Sequence, residues 1–169
     1  MPRREIRITG YGGQGVIMTG YVFGRAAALY DHRHSTMTQS FGPEARGSAC
    51  ASALVVDDQV ITYPYLRATD ILIALSREGY EKYVHELKDT GVLIYDEDLV
   101  EPETSRPGVR VCGIPAVRLA EELGRRIVQN IVVVGFATAA TEIVSREAAL
   151  QAVESSVPEA LVDLNRKAF

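Results

Sequence analysis

The stretch EIRITGYGGQGVIMTGYVFGRAAALY at residues 5–30 decides the fold of this chain. Residues 5–9 alternate polar and apolar side chains around Ile6 and Ile8, which predicts a β-strand. A glycine cluster at residues 10–15 then predicts a tight turn, and apolar residues recur at helical spacing over residues 14–30. The stretch therefore predicts a strand, a glycine turn and a helix in succession.

The rest of the chain alternates between strand and helix patterns. Further strands are predicted at residues 35–40, 48–56, 60–63, 70–75, 91–95 and 109–112. Further helices are predicted at residues 77–88, 115–123, 127–141 and 146–155, with a last helix that begins near residue 158. The turn signal Asp57-Asp58 predicts an antiparallel hairpin between residues 48–56 and 60–63. Residues 1–169 are therefore expected to form a single three-layer α/β/α domain with a mixed, mostly parallel sheet and a Rossmann-like first βα unit.

Composition narrows the classes of function. The chain has 169 residues, of which 47% are hydrophobic, and a net charge of -4, which argues against a broad nucleic-acid-binding surface. Cys50 and Cys112 are too few to hold an iron–sulfur cluster through four thiolates, and Cys50 is expected to be buried and inert. Without a secretory signal pattern or a run of about 20 apolar residues, the chain is expected to be cytoplasmic and not bound to a membrane.

The glycine cluster satisfies the pattern GxGxxG through Gly10, Gly12 and Gly15. Such a loop allows tight packing of helix on strand, contact with an anion or a nucleotide phosphate, or binding of NAD. The NAD interpretation also requires an acidic residue at the end of the second strand, where the sequence has Gln39 and Ser40. No GxxxxGK[ST] motif, nucleophile elbow or metal motif is present, so catalysis by the isolated chain is not supported.

A second distinctive segment, FGPEARG, spans residues 41–47. Pro43 stiffens it and Gly42 allows it to turn, so that Glu44 and Arg46 can face one partner; the alternative is a surface turn whose charges are solvated. Tyr63-Pro64-Tyr65 similarly either presents an aromatic surface to another chain or ends a strand and packs locally.

Taken together, GYGGQG at residues 10–15, TQSFGPEARGS at residues 38–48 and ITYP at residues 61–64 resemble the gamma subunits of 2-oxoacid:ferredoxin oxidoreductases, in particular the 2-oxoglutarate type. The resemblance implies a subunit of a cytoplasmic complex that forms an acyl-CoA and reduces ferredoxin. It also implies partner subunits alpha, beta and a ferredoxin-like delta, with thiamine diphosphate, Mg²⁺, iron–sulfur clusters and coenzyme A used by the complex and no cofactor held tightly by this chain. The isolated chain is then expected to be inactive.

Our hypothesis is that the glycine loop and the GPEARG loop lie on one edge of the domain, where they meet the thiamine-binding subunits and the phosphate-bearing end of coenzyme A. The ligand-contacting candidates are Gly12, Gly13, Gln14 and Gly15. The partner-facing candidates are Gln39, Ser40, Gly42, Pro43, Glu44, Arg46, Tyr63 and Pro64. The alternatives are a free-standing nucleotide-binding or sensing domain and a purely structural assembly subunit.

Overall fold

A computed structural model describes residues 2–42, 49–103 and 106–169 of the chain. Their strands form a six-stranded sheet in the order β2-β3-β1-β4-β5-β6. The strands are β1 (Arg4–Tyr11), β2 (His34–Phe41), β3 (Ala49–Asp57), β4 (Thr69–Ala74), β5 (Leu87–Asp96) and β6 (Arg110–Ile114). β1, β4, β5 and β6 pair in parallel, whereas β3 pairs antiparallel with both β1 and β2. The mixed, mostly parallel sheet is confirmed.

Helices cover the two faces of the sheet unequally. They are α1 (Val16–Arg25), α2 (Arg77–Tyr83), α3 (Ala116–Glu122), α4 (Gln129–Thr141), α5 (Arg146–Ser155) and α6 (Val162–Ala168), and a π-helical segment (Ala26–Tyr30) extends α1. The main apolar core packs α1, α3, α4 and α5 on the face that carries Ile6 and Ile8. A smaller cluster packs α2 and Val100 on the face that carries Leu72. The three predicted layers are present, but the helical layer on the face that carries Leu72 is formed mainly by the short helix α2.

The predicted hairpin between residues 48–56 and 60–63 is wrong. β3 already has β1 on one edge and β2 on the other, so it has no free edge for another strand. Val60 is 71% exposed, and the Asp57 side chain accepts a hydrogen bond from the N–H of Gln59, which turns the chain away from the sheet. The true antiparallel partner of β3 along the chain is β2.

Two other differences concern the ends of elements. The helix predicted at residues 77–88 ends at Tyr83, and a 3₁₀ turn leads into β5 at Leu87, which is buried in the smaller apolar cluster. The first helix begins at Val16, because Gly15 has a left-handed backbone (φ 76°) that ends the turn. Ser145 caps α5 as predicted and accepts a hydrogen bond from the N–H of Ala148.

No helix in the described part of the chain has both the length and the apolar composition that a bilayer crossing needs.

Glu5 is a buried carboxylate that anchors the segment leading into β4. Its Oε2 accepts hydrogen bonds from the backbone N–H groups of Arg67 and Ala68, and its Oε1 lies 2.7 Å from Nε of Arg3. Burial alone would raise the pKa of Glu5, but the hydrogen bonds from Arg3, Ala68 and Arg67 outweigh burial and hold that pKa below its usual value. The ionised form of Glu5 therefore stabilises the fold.

We expect Glu5→Gln to lower the free energy of unfolding by about 1–3 kcal/mol at pH 7, because two backbone N–H groups and a guanidinium lose their charged acceptor. The contribution is complete above the pKa of an unfolded glutamate, about 4.3, and is lost as the pH falls through the lower pKa of the folded state. Urea unfolding of both proteins between pH 7 and pH 3 measures the difference, which should shrink at acid pH. The exposed Glu122→Gln is the matched control, and an equal effect of the two substitutions would contradict the assignment.

Candidate functional site

The two predicted loops are connected to strands that end at the same edge of the sheet. β1, β2, β4, β5 and β6 all run in one direction, and we call the end at which they finish the carboxyl edge. Tyr11 at the end of β1 is opposite Ala49, and Phe41 at the end of β2 is opposite Cys50. Gly42 donates a backbone hydrogen bond of 3.0 Å to the carbonyl of Ala49. The described residues that bound the GPEARG loop thus lie beside the glycine loop.

Pro43, Glu44 and Arg46 lie outside the described residues, and their predicted roles stay predictions. Gln39 and Ser40 are exposed on the edge strand β2 close to its end at the carboxyl edge. A cavity of about 190 Å³ contacts Ser40, Gly42 and Cys50 there. The prediction that Cys50 is buried is confirmed, and its burial raises the pKa of its thiol, which keeps the thiol protonated at neutral pH.

Gln14 holds the glycine loop in place through its side chain. Its Oε1 accepts a hydrogen bond of 2.6 Å from the N–H of Tyr11, and its Nε2 donates one of 2.8 Å to the carbonyl of Leu75 at the end of β4. The N–H of Gln14 donates to the carbonyl of Tyr11 at 3.2 Å. The side chain of Gln14 therefore positions the loop, and its predicted contact with a ligand stays a prediction.

The loop presents backbone donors that have no acceptor within residues 2–42, 49–103 and 106–169. No hydrogen bond among the described residues uses the N–H groups of Gly12, Gly13 or Gly15, or those of residues 16–18 in the first turn of α1. This helix has neither a side-chain cap nor an acidic residue in its first turn, whereas α2 has the cap Ser76 together with Glu78. Free N–H groups at a helix N-terminus favour an anion, so the arrangement suits a phosphate or a carboxylate.

The NAD interpretation requires a strand order that the sheet lacks. In a dinucleotide-binding unit the acidic residue that holds the ribose follows the strand adjacent to β1. Here β3 lies between β1 and β2 and runs in the opposite direction, so the end of β2 is one strand removed from the glycine loop. The similarity to a Rossmann fold is therefore confined to β1, the glycine loop and α1.

Asn130 was not predicted as a site residue, although the sequence places it as a polar side chain at the start of an apolar run. The structure brings it from α4 against Gly15: a Cβ placed on Gly15 would be 2.6 Å from Cβ of Asn130. The N-termini of α1 and α4 therefore meet at the carboxyl edge.

Tyr63 and Pro64 lie at the opposite end, which we call the amino edge. The guanidinium of Arg3 donates to the carbonyls of Tyr63 and Tyr65, and the two tyrosine rings pack edge to face at 5.6 Å. Both tyrosines remain about half exposed. They can therefore pack against each other and still contact a partner chain. A larger cavity of about 590 Å³, lined by Arg33, Glu142 and other residues, also lies at the amino edge and contains none of the predicted site residues.

Metal binding receives no support from the described residues. None of the groupings of His, Cys, Asp and Glu in that part of the chain has three members placed to hold an ion. His32 lies two residues before β2, and His34 is the first residue of that strand and is exposed.

We expect Gly15→Ala to be considerably more destabilising than Gly13→Ala. Both glycines have a positive φ, 76° and 96°, which costs an alanine about 1 kcal/mol, but only at Gly15 would the added methyl group meet Asn130. Overpacking adds about 1–3 kcal/mol, for a total of about 2–4 kcal/mol at Gly15. Urea unfolding of both variants measures the difference. Equal losses would show that α4 does not pack on the loop.

Comparison with known proteins identifies relatives over nearly the whole chain. The family described as pyruvate ferredoxin/flavodoxin oxidoreductase matches residues 5–169. The 2-oxoglutarate synthase subunit KorC of Methanocaldococcus jannaschii is 45% identical over 99% of this chain and 90% of its own length. The pyruvate synthase subunit PorC of Methanothermobacter thermautotrophicus is 29% identical over 97% of this chain and 91% of its own length.

Solved structures agree with the sequence matches. The gamma subunit of a keto/oxoacid ferredoxin oxidoreductase from Geobacter sulfurreducens superimposes with a TM-score of 0.83 at 41% identity, covering 98% of this chain and 93% of that one. The 2-oxoglutarate:ferredoxin oxidoreductase from Magnetococcus marinus, solved with 2-oxoglutarate, coenzyme A and succinyl-CoA bound, contains the same fold. Its TM-score is 0.90 at 22% identity, and this chain corresponds to 30% of that one. The chain therefore belongs to the pyruvate ferredoxin/flavodoxin oxidoreductase family, as a gamma subunit of the 2-oxoacid:ferredoxin oxidoreductases.

Proposed function

We propose that the chain is the non-catalytic gamma subunit of a 2-oxoglutarate:ferredoxin oxidoreductase. The observation that carries the substrate assignment is the difference between 45% identity to a 2-oxoglutarate synthase subunit and 29% identity to a pyruvate synthase subunit of similar length. In this proposal thiamine diphosphate, Mg²⁺ and the iron–sulfur clusters belong to the alpha, beta and delta subunits, and ferredoxin accepts the electrons. With two cysteines the chain itself does not have the four thiolates of a cluster.

The carboxyl edge is the proposed docking face for the sister subunits. Large apolar side chains are exposed around the glycine loop: Phe41 is 67% exposed, Ile127 75%, and Tyr11 and Met18 38% each. Exposed apolar groups clustered around polar donors are typical of a protein–protein interface. Arg46, Glu44 and Gln39 would add polar contacts to the same face, as proposed from the sequence.

The glycine loop is the proposed contact for the phosphate-bearing end of coenzyme A. Support comes from the N–H groups of Gly12, Gly13 and Gly15 at the uncapped N-terminus of α1, which have no acceptor in the described part of the chain. Because the donors are backbone groups, the contact depends on the conformation of the loop more than on any one side chain. Contact at the junction with the sister subunits would let this chain help to orient coenzyme A without taking part in the chemistry.

Purification of the tagged chain from its native cells tests the function. We expect sister subunits to copurify, and the complex to reduce ferredoxin with 2-oxoglutarate and coenzyme A at least tenfold faster than with pyruvate. The separated chain should have no activity. A chain that purifies alone and binds NAD or an adenine nucleotide would instead support the free-standing nucleotide-binding domain.

Ile127→Asp tests the docking face, because it places a charge in a surface that we propose to be desolvated in the complex. We expect the amount of copurified sister subunits to fall at least tenfold. Leu29→Asp is the matched control, since Leu29 is also apolar and 54% exposed but lies at the amino edge. Equal retention of the sister subunits by both variants would contradict the assignment of this face.

Arg46→Ala tests the GPEARG loop in the purified complex. We expect either weaker assembly or a KM for coenzyme A raised by about tenfold or more, because a bidentate partner of a carboxylate or a phosphate is lost. The exposed Arg146→Ala on α5 should leave both quantities unchanged. If Arg46→Ala also changes neither, the proposed role of Arg46 fails, and unchanged turnover in further variants of both loops would favour a purely structural subunit.

A further inference from the structure

Asn130 has a side-chain amide that forms no hydrogen bond among the described residues. The residue is 8% exposed, but its Oδ1 and Nδ2 atoms are not among the fully buried atoms that have no partner, so the small exposed area includes the amide. Asn165, which is buried to a similar degree on α6, donates from its Nδ2 to the carbonyl of Leu161 at 2.8 Å. Because its amide reaches the surface and has no partner among the described residues, Asn130 is available to donate to a ligand.

The amide of Asn130 lies over the glycine loop. Its Cγ and Nδ2 are 2.8 and 3.0 Å from the point that a Cβ on Gly15 would occupy. The absence of a side chain at Gly15 therefore lets the amide approach the backbone of the loop at Gly15, two residues after Gly13, and no hydrogen bond among the described residues uses the N–H groups of Gly12 and Gly13. The donor on α4 and the donors on the loop belong to one small region.

The surroundings of Asn130 are polar and positively charged for a helix that is otherwise apolar. The Oε1 atom of Gln129 is buried and likewise has no partner among the described residues. Arg125 and Arg126, which precede α4, are exposed and form no ion pair within the described part of the chain. The helix has no side-chain cap and no acidic residue in its first turn. The two arginines and the uncapped start of α4 favour an anion, because nothing negative in the first turn of α4 or of α1 competes with it, whereas the buried Oε1 of Gln129 is an acceptor and favours a donor.

We infer that Asn130 donates a hydrogen bond from its side-chain amide to the phosphate group bound at the glycine loop, so that the phosphate site is built by two helices, α1 and α4. The inference rests on the proposed function, in which the loop takes the phosphate-bearing end of coenzyme A. It adds a neutral side-chain donor from a distant part of the sequence to the backbone donors of the loop. Gly15 then has two roles: its positive φ ends the turn, and its missing side chain leaves room for the amide.

The test uses the full chain labelled with ¹⁵N and titrated with coenzyme A and with inorganic phosphate, while the amide resonances of Gly12, Gly13 and Gly15 are followed. We expect Asn130→Asp to weaken the binding of both probes at least tenfold, because an isosteric carboxylate removes the donor and repels the anion. Gln151→Glu, at an exposed position on α5, makes the same change in net charge and should bind within twofold of the unmodified chain. Asn130→Ser retains a smaller donor and should bind with intermediate affinity.

The titrations have three distinguishable outcomes. If the glycine amides of the unmodified chain respond to neither probe, the proposed phosphate contact and the role of Asn130 fail together. If they respond, and Asn130→Asp and Asn130→Ser bind as tightly as the unmodified chain, the phosphate contact stands and the role of Asn130 is overturned. If Asn130→Asp does not fold, Asn130→Ser decides: weaker binding with a native spectrum supports the inference, and unchanged binding overturns it.

Discussion

The pairing of β1 with one strand on each of its sides determines which loops lie together at the carboxyl edge. β1 is antiparallel to β3 on one side and parallel to β4 on the other. Because β3 lies between β1 and β2, the connection between Gly42 and Ala49 begins and ends next to the glycine loop. Residues that are more than thirty positions apart in the sequence are thus brought to one edge by backbone hydrogen bonds.

The N–H groups at the start of α1 have no acceptor among the described residues, unlike those at the starts of α2 and α5. Ser76 and Ser145 cap α2 and α5 with side-chain oxygens, but α1 begins at a left-handed Gly15 with no cap. Unsatisfied helix N-termini lower the stability of a domain, and natural proteins retain such features chiefly at functional sites. Asn130, which packs against Gly15, likewise forms no side-chain hydrogen bond among the described residues.

The sequence predicted local elements well because their patterns are short in range. Hydrophobic periodicity identified β1, α1 and most later elements, and the N-cap at Ser145 followed from side-chain chemistry alone. The hairpin at residues 60–63 was wrong because strand pairing depends on which edges are still free, and β2 and β1 already occupy both edges of β3. Asn130 was missed as a site residue because its significance comes from the approach of α4 to Gly15.

By itself the sequence determined the α/β class, the strand–glycine turn–helix unit and, through three ordered motifs, the resemblance to the family. These properties depend on residue type and spacing within a few turns of the chain, so a linear pattern contains them. Only the tertiary structure decided that Gln14 ties the loop to Leu75, that Tyr63 lies at the amino edge and that Asn130 meets Gly15. These contacts join residues about 60 to 115 positions apart, and they exist only after the sheet order and the packing of α1 against α4 have been fixed.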